Sequence, residues 1–230
     1  MLDIMIFKRT IGEDDSIVAM LASALRRDIA FGALLPDQKL KIEQLRQRYG
    51  GSNHSMRETL RLLSAEGLVE ATTQRGFRVT SATEEDLRDI IMVRGQIESA
   101  ALELAIQHGT VQWEGRVMAA HHGLRKAETA VAATPDDLTA LEWDEACKAF
   151  TATLIESCGS PRLIDLQEKF FNQSRRFRLA LLREGRLDFA RRKSRQQALL
   201  NAVLERDVKA ALEVLAEDIE AELRSEPRQN

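Results

Sequence analysis

The sequence has few cysteines, no long apolar run and no export signal. Its two cysteines, Cys147 and Cys158, are the only ones in 230 residues, and thiols without an export signal indicate a reducing compartment. No apolar run approaches the roughly 20 residues of a membrane helix. The N-terminal MLDIMIFKRT has an acid before its first basic residue, unlike a signal peptide. We therefore predict a cytoplasmic protein without a membrane partner.

The patterns that mark enzymes are also missing from the sequence. It contains no nucleophile elbow, no Ser/His/Asp set and no phosphate-binding loop, and neither thiol has an evident basic partner. The four histidines and two cysteines show no metal-type spacing. We therefore expect no catalysis and no cofactor.

Charge is nearly balanced, with a formal net charge of −3, which does not by itself indicate a nucleic-acid-binding protein. Its distribution is uneven, because residues 1–81 hold 12 Lys and Arg against 10 Asp and Glu, whereas the remainder holds 21 against 26. A domain with so small a positive excess must place its charges well, and a dimer would double its phosphate contacts.

The most informative stretch is KIEQLRQRYGGSNHSMRETLRLLS, at residues 41–64. It predicts two short helices, at about residues 42–48 and 53–66. Two consecutive glycines separate them and supply the positive φ angles that a helix exit needs. Ser52 is a suitable N-cap for the second helix.

The second of these helices has an apolar face and a polar face. Met56, Leu60 and Leu63 recur at helical spacing and are predicted to point inward. A helix-turn-helix places the polar face of its second helix in the major groove, where Arg bonds guanine and Asn bonds adenine. The residues on or near this helix that we expect to contact DNA are Lys41, Ser52, Asn53, His54, Ser55, Arg57, Arg61, Arg75 and Gly76. The alternative is an ordinary helical pair with a solvated polar face.

A hairpin is predicted directly after this helix. Two β-prone runs, at residues 69–72 and 77–81, flank a bend that contains Arg75. A short strand at residues 39–41 would complete a winged fold. The basic tip of the wing, with Arg78 nearby, is suited to contact phosphate or the minor groove.

The remainder of the chain is predicted to be helical. Thr83 and Asp86 form a start that resembles a capping box. Segments of 3.6-residue periodicity lie at about residues 83–108, 111–133, 136–157, 161–184, 187–206 and 208–224. Short connections between such helices favour an antiparallel bundle.

The predicted fold class is therefore mainly α. Residues 14–81 would form an N-terminal winged helix-turn-helix with a small β-hairpin wing, and residues 82–226 a C-terminal all-α antiparallel helical bundle. Residues 1–13 are predicted to be a loose arm, and residues 14–16 to cap the first helix.

In this order, the parts of the first domain resemble the GntR superfamily of bacterial transcription regulators. The matching stretches are GALLPDQKL, LRQRYGGS, MRETLRLLSAEGLVE and QRGFRV, at residues 32–40, 45–52, 56–70 and 74–79. The family often has Arg where Asn53 and Glu43 stand. The resemblance implies DNA binding but does not give the operator sequence.

The helical half resembles the FCD-type effector domain of the FadR subfamily. The matching stretches are DLRDIIMVRGQIESAAL, AFTATLIESCGSPRL and LLNAVLERDVKAALEVLAEDI. LEWDEACKAF and ESCGSPRL are most similar to the branch of carbon-starvation-induced (CsiR-type) regulators. The resemblance implies that this domain binds an effector and forms the dimer contact.

Members of this subfamily commonly hold a divalent metal in the bundle with an Asp and three His. The corresponding positions here are Cys147, Thr151, Gln196 and Asp218, so all three histidines are missing. Thr and Gln are poor ligands for zinc-type metals. We therefore predict no tightly bound metal. The minor alternative is a binding site formed by a Cys147 thiolate and Asp218.

The cavity could still bind an anion without the metal. A guanidinium in an apolar bundle needs an anionic partner, which for Arg94 is either a carboxylate effector or Glu98 one turn along. The predicted effector-binding residues are Arg94, Cys147, Thr151, Arg176, Gln196 and Asp218. For Arg175 and Arg176 the alternative is a solvated basic face that extends to Arg195.

The sequence thus predicts a ligand-responsive transcription regulator, a repressor, that binds a palindromic double-stranded DNA operator as a homodimer. One module covers too few base pairs for selectivity in a genome, and two related by a twofold axis match a palindrome. A small organic acid in the helical domain would modulate DNA affinity. The alternative is a constitutive DNA-binding regulator that has lost metal and effector response.

Overall fold

The computed structural model describes residues 3–72 and 76–223, with side chains from residue 16 onward. The chain divides into two compact units, Met1–Ala82 and Thr83–Asn230. Both units are mainly helical, and the strands of the described residues all lie in the first. The predicted fold class, a winged helix-turn-helix followed by a helical domain, is confirmed.

The first unit combines helices with a small antiparallel sheet. Its described elements are α1 (Asp3–Ala30), β1 (Lys39–Leu40), α2 (Ile42–Tyr49), α3 (Asn53–Ala65), β2 (Val69–Ala71) and β3 (Phe77–Val79). The strand order is β1-β3-β2, so that Arg78 of β3 lies between Lys39 of β1 and Glu70 of β2. The predicted hairpin and the short strand near residue 39 are therefore confirmed.

Apolar side chains of α1 and α3 form the centre of this unit. Leu21, Met56, Leu60 and Leu63 are at most 2% exposed, so the predicted inward face of α3 is confirmed. The turn between α2 and α3 requires glycine at position 51, where φ is +83°. Because glycine has no Cβ, this turn can pack closely on α1. A Cβ there would lie only 3.0 Å from Leu21 Cδ1.

The first helix is longer than the sequence predicted. The predicted loose arm at residues 1–13 and the predicted cap at residues 14–16 are wrong for the described residues, because α1 runs from Asp3 through these positions to Ala30. Asp and Ser favour helix caps, yet each costs less than about 0.7 kcal/mol inside a helix relative to Ala. Such a small preference does not end a helix.

The second unit is built from long helices with short connections. They are α4 (Glu84–His108), α5 (Val111–Ala133), α6 (Asp137–Ile155), α7 (Pro161–Arg183), α8 (Phe189–Leu204) and α9 (Val208–Glu220), with a 3₁₀ turn at Glu156–Cys158. The residues whose side chains cap their N-termini are Thr83, Thr110, Asp136, Ser160, Asp188 and Asp207. Thr83 and Asp86 form the predicted capping box, and the six predicted helical segments are confirmed.

The core of the second unit differs in kind from that of the first. Trp113 and Trp143 are fully buried in it, and the Trp113 indole N–H donates to the Thr153 carbonyl at 2.8 Å. Carboxylate and guanidinium side chains are buried there as well, namely those of Arg94, Glu98, Glu128, Asp144, Arg178 and Glu222. No helix within residues 3–72 and 76–223 is both long enough and apolar enough to cross a membrane.

Candidate nucleic-acid interface and effector site

A reciprocal pair of serines fixes the start of α3. The Ser55 backbone N–H donates to Ser52 Oγ at 3.0 Å, and the Ser52 backbone N–H donates to Ser55 Oγ at 2.9 Å. This capping box confirms the predicted N-cap. It also corrects the prediction that Ser55 contacts DNA, because position N3 of a capping box points back at the cap and the Ser55 side chain is buried.

The opposite face of α3 is open to solvent. Its exposed polar side chains are those of Asn53, His54, Arg57 and Arg61. Arg61 forms an ion pair with Glu58 on the surface, and such a pair contributes about 0–1 kcal/mol, so it exchanges readily for a phosphate. Lys41 is exposed immediately before α2. The chain thus presents one polar row along α3 and a cation beside it.

One arginine bridges the turn between α2 and α3. Arg46 donates from Nε to the Gly51 carbonyl and from Nη1 to Asn53 Oδ1, each at 3.2 Å. The amide oxygen of Asn53 is therefore engaged. An amide oxygen has two lone pairs, so Asn53 can bond adenine bidentately while Arg46 still donates to it.

Two polar contacts fix the helix-turn-helix to α1. Arg26 donates to both carboxylate oxygens of Glu66, at the end of α3, at 2.8 and 2.6 Å. Buried Asp28 accepts from the Tyr49 hydroxyl at 2.6 Å and from Arg48 at 2.5 Å. Burial and the bond to Asp28 raise the pKa of Tyr49, so the hydroxyl keeps its proton. The polar row of α3 therefore stands on a rigid support.

The wing is described on both sides of its tip. Arg75 lies outside the described residues, so its predicted DNA contact stays a prediction. At Gly76 a Cβ would lie 3.0 Å from Thr72 Oγ1, and the Gly76 carbonyl accepts from the Thr72 backbone at 3.0 Å. On the strands, Arg78 Nε donates to Glu70 Oε1 at 2.8 Å, so this cation is paired across the hairpin.

In the helical unit, most of the predicted effector-binding residues meet at one small cavity. It has a volume of about 20 Å³, and Arg94, Thr151, Gln196 and Asp218 line it. That is room for about one water molecule. Thr151 also donates to the Cys147 carbonyl at 3.1 Å, one turn back on α6.

The other two predicted effector-binding residues lie elsewhere. Cys147 is buried but is not among the residues that line the cavity, and Arg192 Nη2 lies 3.4 Å from its sulfur. Arg176 is absent from the cavity lining, and its guanidinium is 4.9 Å from the centroid of the Phe177 ring. Arg178, two residues further on α7, reaches the cavity instead.

Arg94 is paired within the protein. Its Nε donates to Glu98 Oε1 at 2.7 Å, and its Nη1 donates to the two oxygens of Glu222 at 2.8 and 2.9 Å. Ser174 Oγ also accepts from Nη1, at 3.1 Å. Of the two interpretations left open for Arg94, the ion pair with Glu98 is present, and Glu222 supplies a second carboxylate that was not anticipated.

A second buried pair joins α6 to α7. Arg178 donates to Asp144 Oδ1 from Nε at 3.1 Å and from Nη2 at 2.8 Å, and Arg175 pairs with the other oxygen of Asp144. Burial alone would raise the pKa of Asp144, but the two guanidinium groups outweigh it and lower that pKa below its ordinary value. The solvated-face interpretation is wrong for Arg175, whose side chain is 13% exposed.

A third cluster surrounds Arg192 of α8. Its Nε donates to Glu128 Oε1 at 3.1 Å. With the Gln196 amide oriented to satisfy both of its ends, the amide oxygen accepts from Arg192 at 2.9 and 3.0 Å and its nitrogen donates to Glu128 at 3.2 Å. Burial raises the pKa of Cys147 to about 12 despite the nearby Arg192, so the thiol stays neutral. Asp218 pairs with Arg195 at 3.0 Å.

Within the residues described, no group of three or more His, Cys, Asp or Glu side chains could hold a metal ion. The charged residues of these paired clusters that the sequence did not reveal are Glu128, Asp144, Arg178, Arg192 and Glu222. A weak signal existed for Arg178 only. It follows Phe171 by seven positions and Ser174 by four, on the buried face of α7.

Comparison with known proteins identifies both units. The family described as "Bacterial regulatory proteins, gntR family" matches residues 17–79, and the FCD domain matches residues 89–221. The HTH-type transcriptional repressor GlaR of Escherichia coli (strain K12) is 34% identical over 198 residues, 85% of this chain and 89% of its own. The HTH-type transcriptional regulator BphR of Paraburkholderia xenovorans (strain LB400) is 32% identical over 209 residues, 90% of this chain and 84% of its own.

Solved structures share the fold. E. coli McbR/YncC has a TM-score of 0.69 at 19% identity, covering 89% of this chain and 94% of its own. A GntR transcriptional regulator from Rhodococcus sp. RHA1 has the same TM-score at 22% identity, covering 93% and 100%. The families and relatives are transcription regulators and not enzymes. The chain therefore belongs to the gntR family of bacterial transcription regulators, with an FCD domain as its second unit.

Proposed function

We propose that the chain binds a palindromic DNA operator as a homodimer and represses transcription, with its DNA affinity modulated by a small carboxylate in the helical unit. The observation that carries DNA binding is the exposed polar row of α3, which begins at Asn53 on a helix fixed to α1 by Arg26. The similarity to GlaR, which is named a repressor, supports the sign of regulation.

Arg57 is the best candidate for reading a base. It is exposed in the first half of α3 and has no ion-pair partner among the residues described. A free guanidinium at this place in a recognition helix can bond the O6 and N7 atoms of guanine, which discriminates by about 1–3 kcal/mol against other bases. Lys41 and Arg61 would contact phosphates beside it.

Two copies of the recognition helix are needed for a site that is selective in a genome. A twofold-symmetric protein matches a palindrome whose half-sites are one helical turn apart. Light scattering should therefore give twice the 25.9 kDa mass of one chain. A DNA fragment with a single half-site should bind far more weakly than the complete palindrome.

The small cavity beside Arg94 has features that support an effector and features that oppose one. Its guanidinium groups suit a carboxylate, which supports ligand response. Its volume of about 20 Å³ and the internal pairing of Arg94 favour the second candidate function, a constitutive DNA-binding regulator. A thermal-shift screen with small organic acids separates the two, because a true effector raises the melting temperature of the full chain.

Arg57→Ala tests the DNA-binding function. In a fluorescence-anisotropy titration with DNA from upstream of the gene, we expect a loss of ~1–3 kcal/mol in binding free energy with no loss of stability. The matched control is Arg88→Ala, an exposed arginine of α4 that pairs with Glu84. If both variants weaken binding equally, or neither does, the assignment of the α3 face to DNA is wrong.

A further inference from the structure

Two cavities of the helical unit share a wall. The outer one has a volume of about 450 Å³, and four arginines line it, namely Arg186, Arg191, Arg192 and Arg195. The inner one is the 20 Å³ cavity beside Arg94. Arg192 and Glu222 line both, so the displacement of either side chain would join them.

Glu222 differs from the other buried carboxylates of this unit. Glu98, Glu128 and Asp144 lie within long helices, whereas Glu222 lies on the turn Ala221–Leu223 that follows α9. Its own backbone N–H reaches the Ile219 carbonyl at 3.2 Å, a single tight-turn hydrogen bond. A side chain on such a turn moves more easily than one within a helix, because few hydrogen bonds must break.

The groups that surround the Glu222 carboxylate are held in place without it. Glu98 fixes Arg94 at 2.7 Å, and Asp144 fixes Arg178 at 2.8 Å. Both guanidinium groups also lie over the Phe171 ring, at 5.1 and 3.8 Å from its centroid. The receptor for a carboxylate therefore persists when Glu222 is removed.

The contacts of Glu222 are those of a bound anion. Both of its oxygens accept from Arg94 Nη1, and Oε2 lies 3.8 Å from Arg178 Nη1. We propose that Arg94 and Arg178 form a carboxylate-binding site that Glu222 occupies as an internal ligand. A small organic carboxylate enters through the outer cavity and displaces Glu222 together with its turn. This inference rests on the proposed effector response and adds the group with which the effector competes.

The exchange preserves the buried charge. One carboxylate replaces another, so neither guanidinium is left unpaired, which would be strongly destabilising. The ligand must compete with a tethered group, so its apparent affinity is lower than its intrinsic affinity. The apparent affinity equals the intrinsic affinity multiplied by the fraction of molecules in which Glu222 is displaced. The exchange moves the turn at Ala221–Leu223, which links ligand binding to the end of α9.

Chemical rescue of Glu222→Ala in the full chain tests the proposal, with acetate as the probe. The variant leaves a hole of carboxylate shape beside Arg94 and Arg178. Acetate should raise the melting temperature of the variant saturably, and the wild type should need an acetate concentration on the order of tenfold higher, if about a tenth of its molecules have Glu222 displaced. Acetamide, which has the same shape without the charge, should have no effect on either.

Glu217→Ala is the matched control, because Glu217 is an exposed carboxylate that lines the outer cavity only. The proposal is overturned if acetate stabilises Glu222→Ala no more than it stabilises Glu217→Ala. Glu222→Gln serves if the alanine variant does not fold, because the amide keeps the size and one acceptor. The absence of any acetate response in the glutamine variant would overturn the proposal equally.

The same titration separates this proposal from the proposed function. It contains no DNA, so rescue by acetate supports the carboxylate site even if the wild type binds no operator. Conversely, wild-type operator binding without rescue of either variant would retain the DNA-binding regulator and eliminate Glu222 as an internal ligand.

Discussion

The two units differ in where they place arginine. The arginines of α3 in the first unit lie on the surface, whereas two arginines of the second unit lie inside its core. In the first unit, Arg57 and Arg61 are exposed on α3 around an apolar centre. In the second unit, Arg94 and Arg178 are almost fully buried among carboxylates. One set of guanidinium groups is available to an external anion, and the other set is already matched to internal anions.

This difference separates stability from recognition. Burial of apolar side chains can account for the stability of the first unit, which leaves its surface charges free to serve DNA. Buried ion pairs such as Arg178 with Asp144 give little net stability relative to apolar side chains of similar volume. Their presence in the second unit agrees with the carboxylate site that we propose there, because they would hold its guanidinium groups in a fixed geometry.

The largest expected effect follows from breaking one internal pair. Asp144→Asn removes the carboxylate that accepts from Arg178 at 2.8 Å and leaves only Glu222, 3.8 Å away, within ion-pair distance among the described residues. We expect a loss of ~3–5 kcal/mol in the free energy of unfolding of the second unit. Both tryptophans of the chain lie in that unit, so urea denaturation followed by tryptophan fluorescence measures it directly. Glu145→Gln is the control, because Glu145 pairs with Arg175 from an exposed position and should cost little.

The same variant carries a prediction about pH. The folded state lowers the pKa of Asp144, so its stabilising contribution is complete above its unfolded value of roughly 4 and is lost as pH falls through the lower folded value. The stability difference between wild type and Asp144→Asn should therefore be largest at neutral pH and shrink in acid. A difference that does not vary between pH 7 and pH 2 would contradict the assigned ion pair.

A core substitution in the first unit should produce the next effect. Met56→Ala removes a fully buried side chain of α3 and should cost ~2–5 kcal/mol. Hydrogen–deuterium exchange of the α3 amides measures the loss, and the tryptophan transition of the second unit should not change. Arg57→Ala, one position along, should leave exchange unchanged and weaken only DNA binding. Equal effects of the two substitutions on exchange would reverse the assignment of the two faces.

Local signals in the sequence predicted the first unit well. The glycines before Ser52, the Ser52 cap and the spacing of Met56, Leu60 and Leu63 each depend on residues within one or two turns. Such patterns determine helix ends and buried faces directly. The long helices of the second unit were predicted from another local signal, the 3.6-residue periodicity of their apolar residues, and a capping box predicted the start at Thr83.

The interior of the second unit was not predictable in the same way. Glu222 meets Arg94 across 128 positions, and no periodicity reports a contact of that range. Neighbouring arginines of α7 looked alike in sequence, yet Arg178 is buried whereas the predicted Arg176 lies outside the inner cavity. Ser55 shows the converse error, because a polar residue in the recognition helix was assigned to DNA when it was needed for the cap.

The smallest expected stability change concerns the wing, where Arg78 tests whether a paired cation can also serve DNA. Its pair with Glu70 is exposed, at 41% and 45% of the two side chains, and Lys39 lies beside it on the other strand. Arg78→Ala should therefore change stability by less than about 1 kcal/mol. If the wing contacts phosphate, the same variant should weaken binding to all DNA sequences and reduce the salt slope by about one.

Arg78→Lys separates the two uses of this charge. Lysine keeps a cation for phosphate, so the salt slope should return to the wild-type value even if the bond to Glu70 is weaker. If Arg78→Ala and Arg78→Lys change stability but leave the salt slope of DNA binding constant, Arg78 serves only its cross-strand pair with Glu70. Arg78 would then join Arg26 and Arg48, the arginines of the first unit that serve its own fold rather than an external anion.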